Sequence, residues 1–162
     1  MMRKVLLTSG WFLGLCLLAN VAYATSGITC TPFTPKTLDK TIILPGVDDP
    51  HTTQIYFLQN TSKQSLWIDH VVEKNRSANA GWSSYIRPGK WSAILINRKN
   101  FILTCAAIEP GKVDYQNCAK AVSMCTPKIT FNSKRKGSYW LVEDQSWDNL
   151  LSALEKRGVK LK

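Results

Sequence analysis

Apolar and polar residues alternate along much of this chain in short segments that are separated by turn residues. In segment 66–72, Leu66 and every second residue after it form one side of the pattern. A period of two is typical of a β-strand with one buried face. Comparable β-rich segments predict further strands at 41–44, 54–59, 83–86, 91–96, 101–107, 113–122, 128–131 and 138–142.

The segments between these predicted strands contain residues that favour tight turns. The clearest are 87–90 and 109–112, each with Pro followed by Gly at its centre, and 97–100, which is rich in Asn. Proline fixes φ, and glycine supplies the positive φ that a type II turn requires. Strands joined by turns at this spacing predict an antiparallel β-sandwich or a barrel-like domain.

One segment near the end of the chain has helical periodicity instead. Apolar residues recur there at i, i+3, i+4 and i+7, namely Trp147, Leu150, Leu151 and Leu154. Ser146 is a suitable N-cap, and Gly158 can end the helix in the left-handed region. The predicted fold class is therefore mainly β with one C-terminal α-helix packed on the sheet, and the alternative is α+β.

The first 24 residues have the pattern of a cleavable secretory leader. Arg3 and Lys4 precede an apolar run at 5–19, and Ala22 and Ala24 provide the small residues that a signal peptidase recognises. The alternative is an uncleaved anchor, but the unbroken apolar part, 11–19, is too short to span about 30 Å of hydrocarbon. We expect residues 1–24 to be removed, 25–40 to form an extended lead-in, and 41–162 to form a single domain.

Four of the five cysteines lie outside the leader, which contains Cys16. An even number of cysteines in an exported chain predicts two disulfides, because the compartment outside the cytoplasm is oxidising. The four cysteines are Cys30, Cys105, Cys118 and Cys125. Three pairings are possible, and buried free thiols are the alternative. Since Cys105 and Cys118 flank the turn at 109–112, the sequence favours a bond between them, which leaves Cys30 for Cys125.

The chain is basic, with 21 Lys and Arg against 11 Asp and Glu. Two basic residues and no acidic residue lie in the leader, so 19 basic and 11 acidic residues remain, a net charge of +8. A basic surface favours an anionic partner, although it can equally serve solubility alone. The candidate anion-binding residues are Arg87, Lys90, Arg98, Lys99, Lys134, Arg135 and Lys136.

Two aromatic residues, Trp82 and Tyr85, are candidates for a carbohydrate-stacking surface, because their rings combine flat apolar faces with polar groups. Packing in the core is the alternative for both. Export disfavours a nucleic-acid partner.

The sequence contains no recognisable catalytic motif. His51 and His70 lie in no nucleophile-elbow frame, and the alternation places His70 on the same side as Leu66 and Ile68, which favours a structural role. The carboxyl groups form no recognisable acid–base pair, and no phosphate loop or dinucleotide motif is present. We therefore expect no enzymatic activity, no cofactor and no metal site.

Several motifs together resemble the enhanced-entry protein B family of Legionella and its relatives, over roughly residues 40–162. They are FLQNTS (57–62), LWIDH (66–70), AGWSSY (80–85), GKWSA (89–93), NRKNF (97–101) and SKRKGSYWLVEDQSWD (133–148). The resemblance implies an exported, non-enzymatic virulence factor of a Gram-negative bacterium, linked to its passage into host cells. It implies no catalytic residues.

Three functional hypotheses follow from the sequence. The first is a periplasmic or secreted binding protein that contacts an anionic partner: lipopolysaccharide, peptidoglycan or an acidic protein. The second is a small periplasmic enzyme such as a cell-wall hydrolase, which would need a cleft with perturbed carboxyl groups or a paired histidine. The third is an enzyme inhibitor, although lysozyme-type targets are themselves basic and would repel it.

Overall fold

The structure, a computed structural model, describes residues 28–46, 54–71, 78–109, 111–131 and 137–162, with only the backbone described at 78–82. The predicted leader, 1–24, lies outside these residues. The elements in chain order are β1 (Cys30–Pro32), β2 (Lys36–Leu38), β3 (Thr41–Leu44), β4 (Gln54–Asn60), β5 (Leu66–Val71), β6 (Ala78–Ile86), β7 (Trp91–Ile96), β8 (Phe101–Glu109), β9 (Lys112–Gln116), α1 (Cys118–Ala121), β10 (Val122–Pro127), β11 (Ile129–Thr130), β12 (Tyr139–Gln145), α2 (Trp147–Lys156) and β13 (Lys160–Leu161).

The strands form two main antiparallel sheets, which confirms the predicted mainly β, sandwich-like fold with a C-terminal helix. Sheet A has the order β1-β10-β4-β7-β12, and sheet B has the order β2-β3-β8-β5-β6. Strand β9 pairs with residues 105–109 of β8. It lies on the same side of β8 as β3, which pairs with residues 101–103. Strands β11 and β13 form a separate two-stranded ribbon.

The main hydrophobic core lies between the two sheets. Tyr56 and Ile94 from sheet A pack there with Ile68 and Leu103 from sheet B, and all four are fully buried. The Tyr56 hydroxyl donates a 2.6 Å hydrogen bond to the Pro45 carbonyl oxygen, and burial raises the pKa of Tyr56 to about 12. Alternation thus places one side of each strand in this core, as the sequence pattern predicts.

A second apolar cluster lies on the other face of sheet A, beneath α2. Leu150, Leu151 and Leu154 of the predicted stripe are buried there. The Trp147 ring lies 5.7 Å from the Phe57 ring and 4.7 Å from the Trp91 ring, between centroids. The helix therefore covers the outer face of sheet A, and the fold has three layers in the order sheet B, sheet A, helix.

Both ends of α2 behave as the sequence predicts. The Ser146 carbonyl accepts the first helical bond from the Leu150 amide, at 2.9 Å, although the Ser146 side chain makes no capping bond. Gly158 has a φ of +81°, and its amide bonds the Glu155 carbonyl. A left-handed residue at this place ends the helix and turns the chain back to β13.

The described part of the predicted 25–40 lead-in is extended, and it contributes β1 to sheet A and β2 to sheet B. One prediction about local structure is wrong. Segment 113–122 is not one strand, because α1 interrupts it at Cys118. The Cys118 amide bonds the Lys40 carbonyl at 3.0 Å, and this single helical turn carries the chain from sheet B to sheet A.

The two disulfides form in the pairing that the sequence favours. Cys30 bonds Cys125, which joins β1 to β10 within sheet A. Cys105 bonds Cys118, which ties α1 to β8 in the main core. Both bonds require an oxidising environment to persist.

Candidate functional site

The predicted anion-binding residues do not converge on one site. Arg87 and Lys90 lie on the turn before β7, and Arg98 and Lys99 lie on the turn after it. Six residues of strand place these turns about 20 Å apart. The run Lys134–Lys136 lies outside the described residues.

Arg87 has a structural partner at its end of the strand. Its Nε lies 2.7 Å from Oδ2 of Asp144, and its backbone amide donates to Oδ1 of Asp144 at 2.8 Å. The turn at 87–90 thereby joins the end of β6 to β12 at the edge of sheet A. Since Nε is already engaged with a carboxylate, Arg87 is less available to an external anion.

His70 lies in the protein interior, as the strand pattern predicts. It is 5% exposed, and its ring stacks on Phe101 with centroids 4.1 Å apart. Burial lowers the pKa of His70, and the positive charge of Arg98 lowers it further. A buried, stacked imidazole fits the structural interpretation better than the role of a catalytic base. His51 lies outside the described residues.

The outer face of sheet B, in contrast, exposes large apolar side chains. Cross-strand partners point to the same face, and the pairs Ile108–Val113, Ala106–Tyr115 and Trp67–Ala106 all point away from the core. Every exposed large hydrophobic residue of the described chain lies on this face or along its edge: Leu38, Tyr85, Ile108, Val113 and Tyr115. A concentration of this kind on one face is typical of an interaction surface.

An aromatic row crosses the outer face of sheet B. The register places Tyr115, Ala106, Trp67 and Tyr85 side by side on β9, β8, β5 and β6. At a strand spacing of about 4.8 Å, the row is about 14 Å long. The Trp67 and Tyr85 rings lie 5.6 Å apart and are inclined at 58°, and Ala106, between Trp67 and Tyr115, is only 4% exposed.

A polar row lies beside the aromatic row on the same face. Thr104, Asp69 and Ser83 occupy the next outward positions of β8, β5 and β6. Asp69 is half-buried, and desolvation raises the pKa of its carboxyl group above the ordinary value of 3.8. At the β9 end, the Lys40 ammonium donates a 2.7 Å bond to the Tyr115 carbonyl oxygen. The outer face of sheet B thus combines aromatic rings, hydrogen-bonding groups and a cation.

The two predicted surface aromatics have different outcomes. Tyr85 is 40% exposed and belongs to the aromatic row. The Trp82 side chain lies outside the described residues. Trp67 and Tyr115 were not among the predicted surface aromatics. The exposure of Trp67 could have been predicted, since the alternation that places His70 in the interior places Trp67 on the opposite face.

A concave surface lies beside α2. It is a shallow groove of about 540 Å³, lined in part by Asp148, Glu155 and Lys162. Two of these three charged residues are acidic, so the groove is poorly suited to an anionic partner. The outer face of sheet B is therefore the better candidate for binding.

The described part of the chain contains no cluster of three His, Cys, Asp or Glu side chains that could hold a metal ion. None of its helices has the length and apolar character that crossing a membrane requires.

Comparison with protein-family models, with curated proteins and with solved structures finds no match to this chain. The resemblance to the enhanced-entry protein B family therefore stays a prediction from the sequence motifs.

Proposed function

We propose that this protein is an exported, non-enzymatic binding protein that contacts an anionic partner through the outer face of sheet B. The observation that carries the proposal is the concentration of exposed apolar side chains there, including Tyr85 and Tyr115. Soluble proteins rarely leave such residues together on one face unless the face is bound by a partner.

Two observations support export. Both disulfides need an oxidising environment, and the basic, then apolar, then small-residue pattern of 1–24 is that of a secretory leader. We place the mature protein in the periplasm or outside the cell. In the context implied by the enhanced-entry protein B family, the binding would serve the passage of a bacterium into host cells.

The charge of the chain supports an anionic partner. The mature chain has a net charge of +8, which attracts anions over distances longer than a direct contact. Two cations also lie at the outer face of sheet B. Lys36 is exposed and is the cross-strand partner of Ile43 on the outward side, and Lys40 is bonded to Tyr115.

Co-sedimentation of the purified mature protein with envelope membranes, at low and at high salt, tests the proposal. Lys36→Glu combined with Lys40→Glu should weaken binding by at least about tenfold at low salt, because both charges lie at the binding face. Lys156→Glu combined with Lys160→Glu is the matched control, since it makes the same change of net charge on the α2 side.

Equal loss of binding in both double variants would contradict the proposed site, because the effect would then come from net charge alone. Lys134→Glu, Arg135→Glu and Lys136→Glu, made together, separately test the basic run that the sequence singles out. Unchanged envelope binding at low salt would show that the run is not used.

A further inference from the structure

We propose that the partner is peptidoglycan, whose sugar rings stack on the aromatic row of sheet B while the carboxylates of its attached peptides pair with the nearby cations. This inference rests on the proposed function and names the ligand of the same face. It is carried by the two parallel rows, Tyr115-Ala106-Trp67-Tyr85 and Thr104-Asp69-Ser83.

The aromatic row suits a chain of sugar rings. One face of a pyranose ring carries C–H groups, and aromatic rings bind such apolar surfaces while their polar groups stay hydrated. The row crosses four strands, about 14 Å, and is therefore longer than a single sugar ring. Ala106 is small and only 4% exposed, so the flanking Trp67 and Tyr115 provide the contact surface at this point of the row.

The polar row provides the hydrogen bonds that orient a sugar. Successive outward positions of one strand lie about 6.7 Å apart, so Asp69 lies about that far from the aromatic row. Its carboxyl group can therefore meet hydroxyls at the rim of a sugar ring that stacks on the row. A carboxylate accepts hydrogen bonds from hydroxyl donors, and the partly exposed Ser83 hydroxyl both donates and accepts, whereas Thr104 is buried and not available to a ligand. Hydroxyl donors would also satisfy a carboxyl group that burial otherwise leaves costly to ionise.

The cations favour a glycan that carries negative charge. Lys40 lies at the Tyr115 end of the aromatic row, and the exposed Lys36 lies on the neighbouring edge strand. Carboxylates of the peptides attached to the peptidoglycan strand can pair with these ammonium groups while its sugars contact the rings. A neutral polysaccharide would use the rings and leave both lysines without a role.

A second copy of the chain fits this face less well. Each mature copy has a net charge of +8 and repels another. A flat apolar partner would also bury Asp69 without a hydrogen-bond donor, which costs several kcal/mol for an ionised group. A polysaccharide brings its own donors and avoids this penalty.

Titration of the purified, disulfide-bonded mature protein with soluble peptidoglycan glycan fragments that keep their attached peptides, by calorimetry, tests the inference. Tyr115→Ala should weaken binding at least about tenfold, and Tyr115→Phe should retain most of it, because stacking needs the ring and not the hydroxyl. Ser152→Ala on the exposed side of α2 is the control for an unrelated surface. Thermal unfolding of each variant checks that the fold is intact.

Salt separates the two kinds of contact. Stacking on the aromatic row should persist at high salt, whereas pairing with Lys36 and Lys40 should weaken. Tyr115→Ala should therefore lower affinity at both salt concentrations, and the double Lys→Glu variant mainly at low salt.

The remaining outcomes distinguish this inference from the proposed function. If the protein binds envelope membranes but not glycan fragments, or binds only lipopolysaccharide vesicles, the glycan inference is wrong and the proposed function stands. Self-association of the mature protein that Tyr115→Ala abolishes would assign the face to a second copy and overturn both proposals. Failure to bind envelopes, lipopolysaccharide or glycan fragments would likewise contradict both.

Discussion

The two outer faces of the sandwich are built from the same kind of strand but have opposite surroundings. On sheet A, α2 covers the outer face with Leu150, Leu151 and Leu154, and β7 is buried along its whole length. On sheet B, strand β5 alternates between buried residues and the partly exposed Trp67 and Asp69. One face is thus a layer of the interior. The other is a surface at β5, β6 and β9, although the outward residues Thr104 and Ala106 of β8 are buried.

This difference separates the residues that stabilise the fold from those that are available for binding. A fully buried leucine contributes about 1.5–3 kcal/mol relative to an exposed one, so the covered face adds to the free energy of unfolding. Exposed side chains such as Tyr115 and Val113 contribute little of that energy. We infer that the outer face of sheet B is retained for contact and not for stability.

The largest expected effect comes from the disulfide of the covered sheet. Cys30–Cys125 closes a chain separation of 95 residues, and Cys105–Cys118 closes one of 13. In the loop-entropy description, replacing both cysteines of the first pair with alanine should cost about 4–5 kcal/mol, and of the second about 3 kcal/mol. Equilibrium urea unfolding of both double variants measures this, and a reversed order would contradict it.

The next largest change in the free energy of unfolding is expected in the helix that covers sheet A. Leu150 is fully buried beneath α2, so Leu150→Ala should lower the free energy of unfolding by about 3 kcal/mol through lost burial and a residual cavity. Ser152→Ala, on the exposed side of the same helix, should change it by less than about 0.5 kcal/mol. Similar losses in the two variants would mean that α2 does not cover the sheet as described.

The covered face could largely be predicted from the sequence. The stripe from Trp147 to Leu154 has a period that only a helix presents on one side, and Ser146 and Gly158 mark its ends. Periodicity identifies the apolar face of a helix but not the sheet that receives it. That choice depends on strand order, which pairs residues far apart in the chain, such as Tyr139 with Leu95.

The outer face of sheet B could be predicted only in part. Alternation alone separates Trp67 and Asp69 from His70. The aromatic row also needs Tyr115 beside Ala106 and Ala106 beside Trp67, and these pairings follow from non-local register. The break between β9 and α1 could not be predicted locally either, because the position of Cys118 depends on its disulfide with Cys105 and on the Lys40 carbonyl.

The spatial arrangement of the basic residues could also be predicted only in part. The sequence predicts Arg87 and Arg98 as candidate anion-binding residues, but they lie on turns at opposite ends of β7. Turns that flank one strand must lie a strand length apart, so this separation follows from the predicted strand itself. The engagement of Arg87 with Asp144, 57 residues away, could not be foreseen from local pattern.

A smaller effect concerns the carboxyl group on the exposed face. Burial raises the pKa of Asp69 above 3.8, so the folded chain binds this proton more tightly than the unfolded chain. The contribution of Asp69 to stability is therefore fully present below about pH 4 and is lost as the pH rises through the folded pKa. We expect Asp69→Asn to flatten this part of the pH dependence and to be at least as stable as the natural chain at pH 7.

Urea unfolding between pH 4 and 7 measures this change. Ser152→Ala, which removes no titratable group, is the control and should leave the slope unchanged. A steeper loss of stability with rising pH in the Asp69→Asn variant would show that the carboxylate is stabilised in the fold.

The comparison of the two faces is tested directly by making the same substitution on both. Val113 is 57% exposed on sheet B, and Val142 is 5% exposed beneath α2. Threonine has nearly the shape of valine, so the variants differ mainly in whether the new hydroxyl is hydrated. Val142→Thr should cost about 1–3 kcal/mol, because its hydroxyl is buried, and Val113→Thr less than about 0.5 kcal/mol in urea unfolding. A cost at Val113 equal to that at Val142 would mean that the outer face of sheet B is covered in the folded protein, and the comparison of the two faces would fail.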